Sequence, residues 1–448
     1  MGCFGKMVIA FANLEDLPAF SLDEVLSPYV YVFYAAFIVT FLYTPVMRSV
    51  ARWFGIIDQP DARKVHTKPV AYLGGVAVFL GWISGLAMSQ FVFLQRQSPG
   101  LQTLVIRFGI VAGACIIVAL GLWDDVKKIS PRVKIAGQVV AALLLIASGV
   151  GTHMTEHFLK PIIDRTDHFL GWTPDPVMYH WFVYLTSCAL VIALVVFCCN
   201  ATNLMDGLDG LCGGVTAIIA AGFLFLAVHL AMHLGGAWTN WDALRVVLGL
   251  SLLGAVLAFV PFNFNPASIF MGDTGSMFLG FACALMIILM GEVASKWFLA
   301  AMVMFSLPIL DTSLAFARRY VNRRPVFSAD KHHFHHQLVA RGLTVRRAVV
   351  LSYALAVFFV VCGAAIVFMR TRYAVAFYIW IFGSIMVAAY KMGMVHERPV
   401  VVKRRTIDGG SDVIQPTRAV EPDSVLEVQD DGATSGGAAV PGAWKDLK

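Results

Sequence analysis

Charge is what this chain has least of. Only 14% of its 448 residues are Asp, Glu, Lys or Arg, against about 25% in a soluble domain, while 58% are hydrophobic and the mean hydropathy is +0.74. A water-soluble fold has nowhere to hide so much apolar surface, so a soluble globular protein is excluded. A cleaved signal peptide is not expected either. The stretch from Met1 to Leu26, with Glu15, Asp16, Asp23 and Glu24, has no basic start, apolar centre and small-residue cleavage site, so the first apolar span is expected to serve as its own insertion signal. The eight cysteines (Cys3, Cys115, Cys188, Cys198, Cys199, Cys212, Cys283, Cys362) lack the paired spacing of a disulfide framework or zinc site. They read as small core hydrophobes. No internal repeat supports the inverted halves found in many secondary transporters.

What the chain does have is apolar runs, each long enough to cross a hydrocarbon layer of about 30 Å. Eleven are read, near 29–47, 72–94, 104–123, 133–151, 179–199, 211–234, 245–262, 275–291, 296–316, 349–369 and 372–391. The expected fold is all-α: a polytopic membrane bundle of about eleven transmembrane helices with its active site on the cytoplasmic face. Basic residues set the orientation. Arg48, Arg52, Arg63, Lys64 and Lys68 follow the first span, Lys127, Lys128, Arg132 and Lys134 the third, and Arg318, Arg319, Arg323, Arg324, Lys331, Arg341, Arg346 and Arg347 the ninth. Lys391, Arg398, Lys403, Arg404 and Arg405 follow the last. This places the N-terminus outside and the C-terminus inside, with 152–178 an external loop of mixed charge. From about residue 406 the chain is polar, acidic and rich in Gly, Ser and Ala, a composition that predicts disorder. The chain thus divides into a polar N-terminal segment (1–28), a membrane domain (29–391) and a cytoplasmic tail (392–448).

Four polar clusters interrupt the apolar background, and all fall in loops that the charge rule assigns to the cytoplasm. Ionisable groups against membrane spans are costly and mark function. The first is Asp124-Asp125, whose adjacent carboxylates need a cation or basic neighbour; the structural alternative is a solvated helix end neutralised by Lys127 and Lys128. The second runs from Asn200 to Gly210, where Asn203, Asp206 and Asp209 repeat every three residues and share one face if helical. Such hard oxygens suit magnesium, with manganese as an alternative, and helix capping is the competing explanation. The third runs from Asn263 and Asn265 through Phe270 to Gly272-Asp273-Thr274-Gly275, a glycine-rich turn whose backbone N–H groups can approach a phosphate; again a helix cap is the structural alternative. The fourth is His332-His333-Phe334-His335-His336, better suited to phosphate than to structural zinc because no cysteine accompanies it.

Together these motifs resemble the polyprenyl-phosphate N-acetylhexosamine-1-phosphate transferase superfamily, glycosyltransferase family 4, over roughly residues 30 to 390. The resemblance rests on Arg63-Lys64-Val65-His66 with Leu73-Gly74-Gly75, on Gly121–Asp125, on Asn200–Gly210, on Asn263–Gly275, and on Asp311 with Asp330–His336. The histidine pattern is similar to the N-acetylglucosamine-1-phosphate branch rather than to phospho-MurNAc-pentapeptide transferases, the alternative activity. Ala71 and Tyr72 depart from the Pro-Arg common before Leu-Gly-Gly in that branch.

The resemblance implies attack by undecaprenyl phosphate on a UDP-N-acetylhexosamine, releasing UMP, as the first membrane step of an O-antigen, common-antigen or teichoic-acid type polymer in the bacterial inner membrane. It implies a magnesium cofactor, membrane lipids around the protein, no nucleic-acid partner, and a homodimer as a candidate assembly. It places Asp124 and Asp125 at the lipid phosphate, one of them as proton acceptor, with Asn203 and Asp273 as the metal residues and Asp206 on the pyrophosphate side. Asp209, Asn263 and Phe270 are assigned to the uridine, with Gly272, Lys64 and His66 also contacting substrate and His333, His335 and His336 the phosphates. A transporter or a non-catalytic scaffold are the competing classes. Clusters gathered at one face rather than at the midplane argue against the first.

Overall fold

A computed structural model describes residues 20–59, 69–95, 106–170, 174–233, 240–323 and 333–391. The expected tail and the Lys64–His66 motif lie outside these residues. Strands are confined, among the described residues, to one two-residue antiparallel pair, β1 (Ile57–Asp58) on β2 (Val70–Ala71), with Ile57 opposite Ala71.

The chain enters through a short helix α1 (Leu22–Leu26), opened by a capping box in which Ser21 Oγ accepts from Glu24 N–H and Glu24 accepts from Ser21 N–H. Then come α2 (Val30–Trp53), α3 (Gly74–Gln95), α4 (Phe108–Lys127), α5 (Pro131–Ala147), α6 (Glu156–Leu170), α7 (Pro176–Met205), α8 (Leu211–His233), α9 (Asn240–Asn263) and α10 (Gly272–Gly291). The chain continues through α11 (Ser295–Met304), α12 (Ser306–Val321), α13 (Phe334–Ala340), α14 (Val345–Val367) and α15 (Thr371–Lys391).

All eleven expected spans fall on helices, and among the described residues eight helices are long and apolar enough to cross a membrane by themselves. The protein is a multi-pass membrane protein. Two expected spans are shorter as helices: α5 has 17 residues, and only Arg372–Val387 of α15 counts as an apolar helix. The ninth, expected as one span over 296–316, is instead two helices, α11 and α12, bent by 72°. Pro308 accounts for the break: it has no N–H to donate to Met304, so the helical ladder lapses there. The segment 152–178, expected as a loop, contains α6, whose polar and apolar residues alternate at helical spacing without making a long apolar run.

At the centre sits α10. Every residue from Thr274 to Gly291 is buried, because α3, α4, α7 and α11 pack around it. Small residues permit the close approach: a Cβ on Gly121 of α4 would lie 2.4 Å from Thr274 Cα, and one on Gly280 would lie 2.3 Å from Thr202 Oγ1 of α7. The N-terminus of this central helix therefore has a fixed place, and the polar site is built around it.

Candidate active site

Segments far apart in sequence meet at the N-terminal end of α10. The strand Val70–Ala71 bridges to Ile269, and Phe270 N–H donates to Ala71 O at 2.8 Å. Gly74 and Gly75 N–H donate to Phe270 and Met271 carbonyls at 3.0 and 2.9 Å. These bonds stitch the start of α3 to the turn that precedes α10. Gly272, the first residue of α10, has φ +71°, a conformation that favours glycine.

On one side of this turn lies an acid–base bridge. Lys134 Nζ of α5 sits 2.6 Å from Asp124 Oδ2 of α4 and 2.5 Å from Asp273 Oδ2 of α10. Asp124 Oδ1 also accepts from Ile129 N–H at 2.8 Å. Its neighbour Asp125 faces elsewhere: Oδ1 accepts from Asp273 N–H at 2.8 Å, and Oδ2 from Thr274 N–H and Oγ1 at 3.0 and 2.6 Å. Asn203, in the last turn of α7, donates to Ser276 Oγ of α10 at 3.0 Å.

On the other side lies a cavity of about 330 Å³ lined by Asp58, Tyr72, Asp206, Gly207, Leu208, Asp209, Asn263, Phe270, Met271, Gly272, Asp273, His336 and Val345. Asp206 follows α7 directly as its C-cap. Burial, reinforced by the nearby charges of Asp273, Asp125 and Asp209, pushes its carboxyl up to about 8. Asp209 Oδ2 accepts from Asn265 Nδ2 at 2.9 Å and Ala267 N–H at 3.1 Å. Asn263 uses its amide internally, accepting from Gly210 N–H at 3.1 Å and donating to Ile269 O at 3.0 Å. Tyr353 of α14 adds a bond to Gly210 O at 2.5 Å. Asp209 and Asn263 thus shape the cavity wall by tying together the 206–210 and 263–270 turns. The Phe270 ring lies 5.9 Å from that of Tyr72.

The three expected histidines divide. His336 reaches the cavity wall, whereas His333 and His335 are buried, 6% and 1% exposed, against Asp311 of α12. Their Nδ1 atoms stand 3.5 and 3.3 Å from its oxygens. Phe334 N–H, the first of α13, donates to Asp311 Oδ1 at 2.7 Å, and this anchor turns the residues on either side inward. His335 Nε2 points at Gly207, where a Cβ would come within 2.4 Å of it. His335, seated on Asp311 beside His333, therefore braces the 206–210 turn from behind.

The structure also brings in residues that sequence reasoning did not place at the site. Lys134 served there only as an orientation charge. Tyr72 was noticed only as a departure from a pattern, and Asp58 carried no signal at all. Among the described residues no three His, Cys, Asp or Glu side chains are grouped to hold a metal ion unaided.

Comparison with known proteins agrees with this architecture. The family profile described as Glycosyl transferase family 4 matches residues 107–291, which run from α4 to the end of α10. The chain is 33% identical over 341 residues to the probable undecaprenyl-phosphate N-acetylglucosaminyl 1-phosphate transferase of Bacillus subtilis (strain 168), covering 75% of this chain and 85% of that protein. It is 34% identical over 337 residues to a decaprenyl-phosphate N-acetylglucosaminephosphotransferase of Mycobacterium tuberculosis (strain ATCC 25618 / H37Rv), covering 71% and 77%. With the undecaprenyl-phosphate alpha-N-acetylglucosaminyl 1-phosphate transferase of Escherichia coli (strain K12) it shares 24% identity over 322 residues, 70% and 77% of the two chains. Likeness of this extent makes the chain a member of glycosyl transferase family 4.

Proposed function

We propose that this protein transfers N-acetylglucosamine 1-phosphate from UDP-N-acetylglucosamine to undecaprenyl phosphate, releasing UMP, at the cytoplasmic face of a bacterial inner membrane. The observation that carries this reading is the double-sided position of Asp273. One side of it lines the cavity, and the other reaches Lys134 and Asp124. A donor pyrophosphate in the cavity and a lipid phosphate beside Lys134 then meet at one carboxylate. The names of the relatives support the polyprenyl acceptor and the N-acetylglucosamine unit, and the basic loops flanking the site support a cytoplasmic location.

The donor set suits magnesium. Asp273, Asn203 and Asp124 offer hard oxygens without thiolates, and magnesium takes one or two protein oxygens, completing its shell with water and substrate phosphate. The place between Asp124 and Asp273 is already one for positive charge, since Lys134 holds it. When bound, the ion neutralises charge that accumulates as two phosphates approach. The chain's own residues do the rest. Lys134 draws the lipid phosphate towards Asp124, which accepts its residual proton. Asp206 and His336 face the pyrophosphate, and Phe270 and Tyr72 offer rings to the base. A phosphate monoester is already an adequate nucleophile, so electrostatic positioning carries most of the rate.

Asp206 gives this reading a pH signature. Its carboxyl is held up to about 8, so near neutrality it keeps its proton, and a cation at Asp273 favours the carboxylate and expels that proton. Apparent magnesium affinity is expected to rise by up to about tenfold per pH unit below 8 and to level off above it. In Asp206→Asn the slope disappears, which titration of magnesium binding between pH 6 and 9 checks.

The function itself is tested with purified protein, undecaprenyl phosphate and a panel of UDP-sugars. UMP should appear only when lipid phosphate is present, and fastest with UDP-N-acetylglucosamine. Lipid-independent UMP release, or none with any sugar, contradicts the proposal.

A further inference from the structure

We infer that the two adjacent carboxylates have separate tasks: Asp124 faces the reacting phosphates, whereas Asp125 is a positioning residue, a helix cap supplied by α4 that sets the first turn of α10 and with it Asp273. The inference rests on the transferase reading for the meaning of Asp273, but the cap itself rests on geometry alone.

The first N–H groups of any helix have no partner within it. In α10 the preceding residue cannot help, because Met271 at the N-cap position is in helical conformation and makes no side-chain cap bond. Asp125 supplies the missing acceptors from another helix, taking the N–H of Asp273, the N–H of Thr274 and the Thr274 hydroxyl. The negative charge also complements the positive end of the helix dipole. Three of the roughly four acceptor positions of a carboxylate are thereby filled, which leaves Asp125 poorly suited to take a proton from substrate.

The fit is tight from both sides. A Cβ on Gly272 would lie 2.6 Å from Asp125 Oδ2, and a Cβ on Gly121, one turn back on α4, would lie 2.8 Å from the Asp273 carbonyl carbon. Asp124, by contrast, keeps one oxygen on a lysine that is 20% exposed. The alternation of these side chains around the end of α4 sends one carboxylate into the helix start and the other towards the phosphates.

The experiment compares Asp125→Asn, Thr274→Val and Thr274→Ser in full-length protein in detergent. It reads hydrogen exchange at the Asp273 and Thr274 amides, manganese binding without substrates, and the pH profile of kcat. An Asn at 125 turns a donor towards donors, so exchange is expected to quicken by about tenfold or more and manganese affinity to fall by a similar factor. The acid limb of the residual kcat profile should stay in place. Thr274→Val should move the same readouts less, Thr274→Ser should restore them, and Val added to the Asn variant should add nothing.

Unchanged exchange in Asp125→Asn overturns the cap. Normal manganese binding with a lost acid limb overturns it too, because that pattern belongs to a proton acceptor. If exchange quickens while the unmodified protein releases UMP from no UDP-sugar, the cap stands and the transferase reading fails.

Discussion

Replacing Asp273 by Asn is expected to remove transfer while leaving the protein folded and inserted. Its backbone N–H still reaches Asp125, so the first turn of α10 survives the change. What is lost is, among the described residues, the carboxylate that touches both the cavity and Lys134. A preorganised charge facing reacting phosphates is worth roughly 10²–10³-fold in kcat, and on the proposed reading an anchor for the cation is lost as well. Asn keeps the size of the side chain, so detergent-purified protein should elute and melt as before. Activity that returns fully at saturating magnesium would show that Asp273 only raises the local cation concentration and would remove it from the centre of the mechanism.

Lys134→Met should produce an unusual pair of effects with opposite signs. Lys134 is the positive charge shared by Asp124 and Asp273, each within 2.6 Å. Without it the two carboxylates repel, and a divalent cation gains whatever the ammonium formerly contributed. Manganese or magnesium binding to the substrate-free protein should therefore tighten by about tenfold, the scale of one lost charge-assisted bond. Turnover should nevertheless fall by roughly 10²-fold, because the group that draws the lipid phosphate to Asp124 is gone. Met retains the length and apolar stem of Lys, so packing at the start of α5 is preserved. Isothermal titration of the cation, paired with turnover against undecaprenyl phosphate concentration, reads both effects. Weaker cation binding together with weaker turnover would mean that Lys134 is a structural strut and not a stand-in charge.

The bundle was legible because length and hydropathy alone decide what crosses a membrane, and every expected span lies on a helix. The break at Phe305 was not, since the residues on both sides are apolar enough to continue and the missing N–H of Pro308 interrupts the ladder between α11 and α12. Asp124, Asn203, Asp206, Asp273 and the histidine run were legible because polar groups beside apolar spans are rarely neutral passengers. Their individual tasks were hidden, because those depend on partners far away in the chain. Lys134 and Asp273 are 139 positions apart, and Asp125 and Thr274 are 149 apart. Likewise His333, His335 and His336 look equivalent in sequence, and only Asp311 of α12 separates the two that it holds from the one that lines the cavity. Asp209 and Asn263 show the same limit: their positions at the site were readable, but their bonds across the cavity wall were not.

The central claim concerns which bond breaks, and following the β-phosphate of the donor tests it most directly. UDP-N-acetylglucosamine labelled at that phosphorus, incubated with the protein, undecaprenyl phosphate and magnesium, should pass its label into the lipid while unlabelled UMP leaves in equal amount. Label that departs as UDP, with sugar alone on the lipid, would contradict the placement of Asp273 between two phosphates and the transfer derived from it.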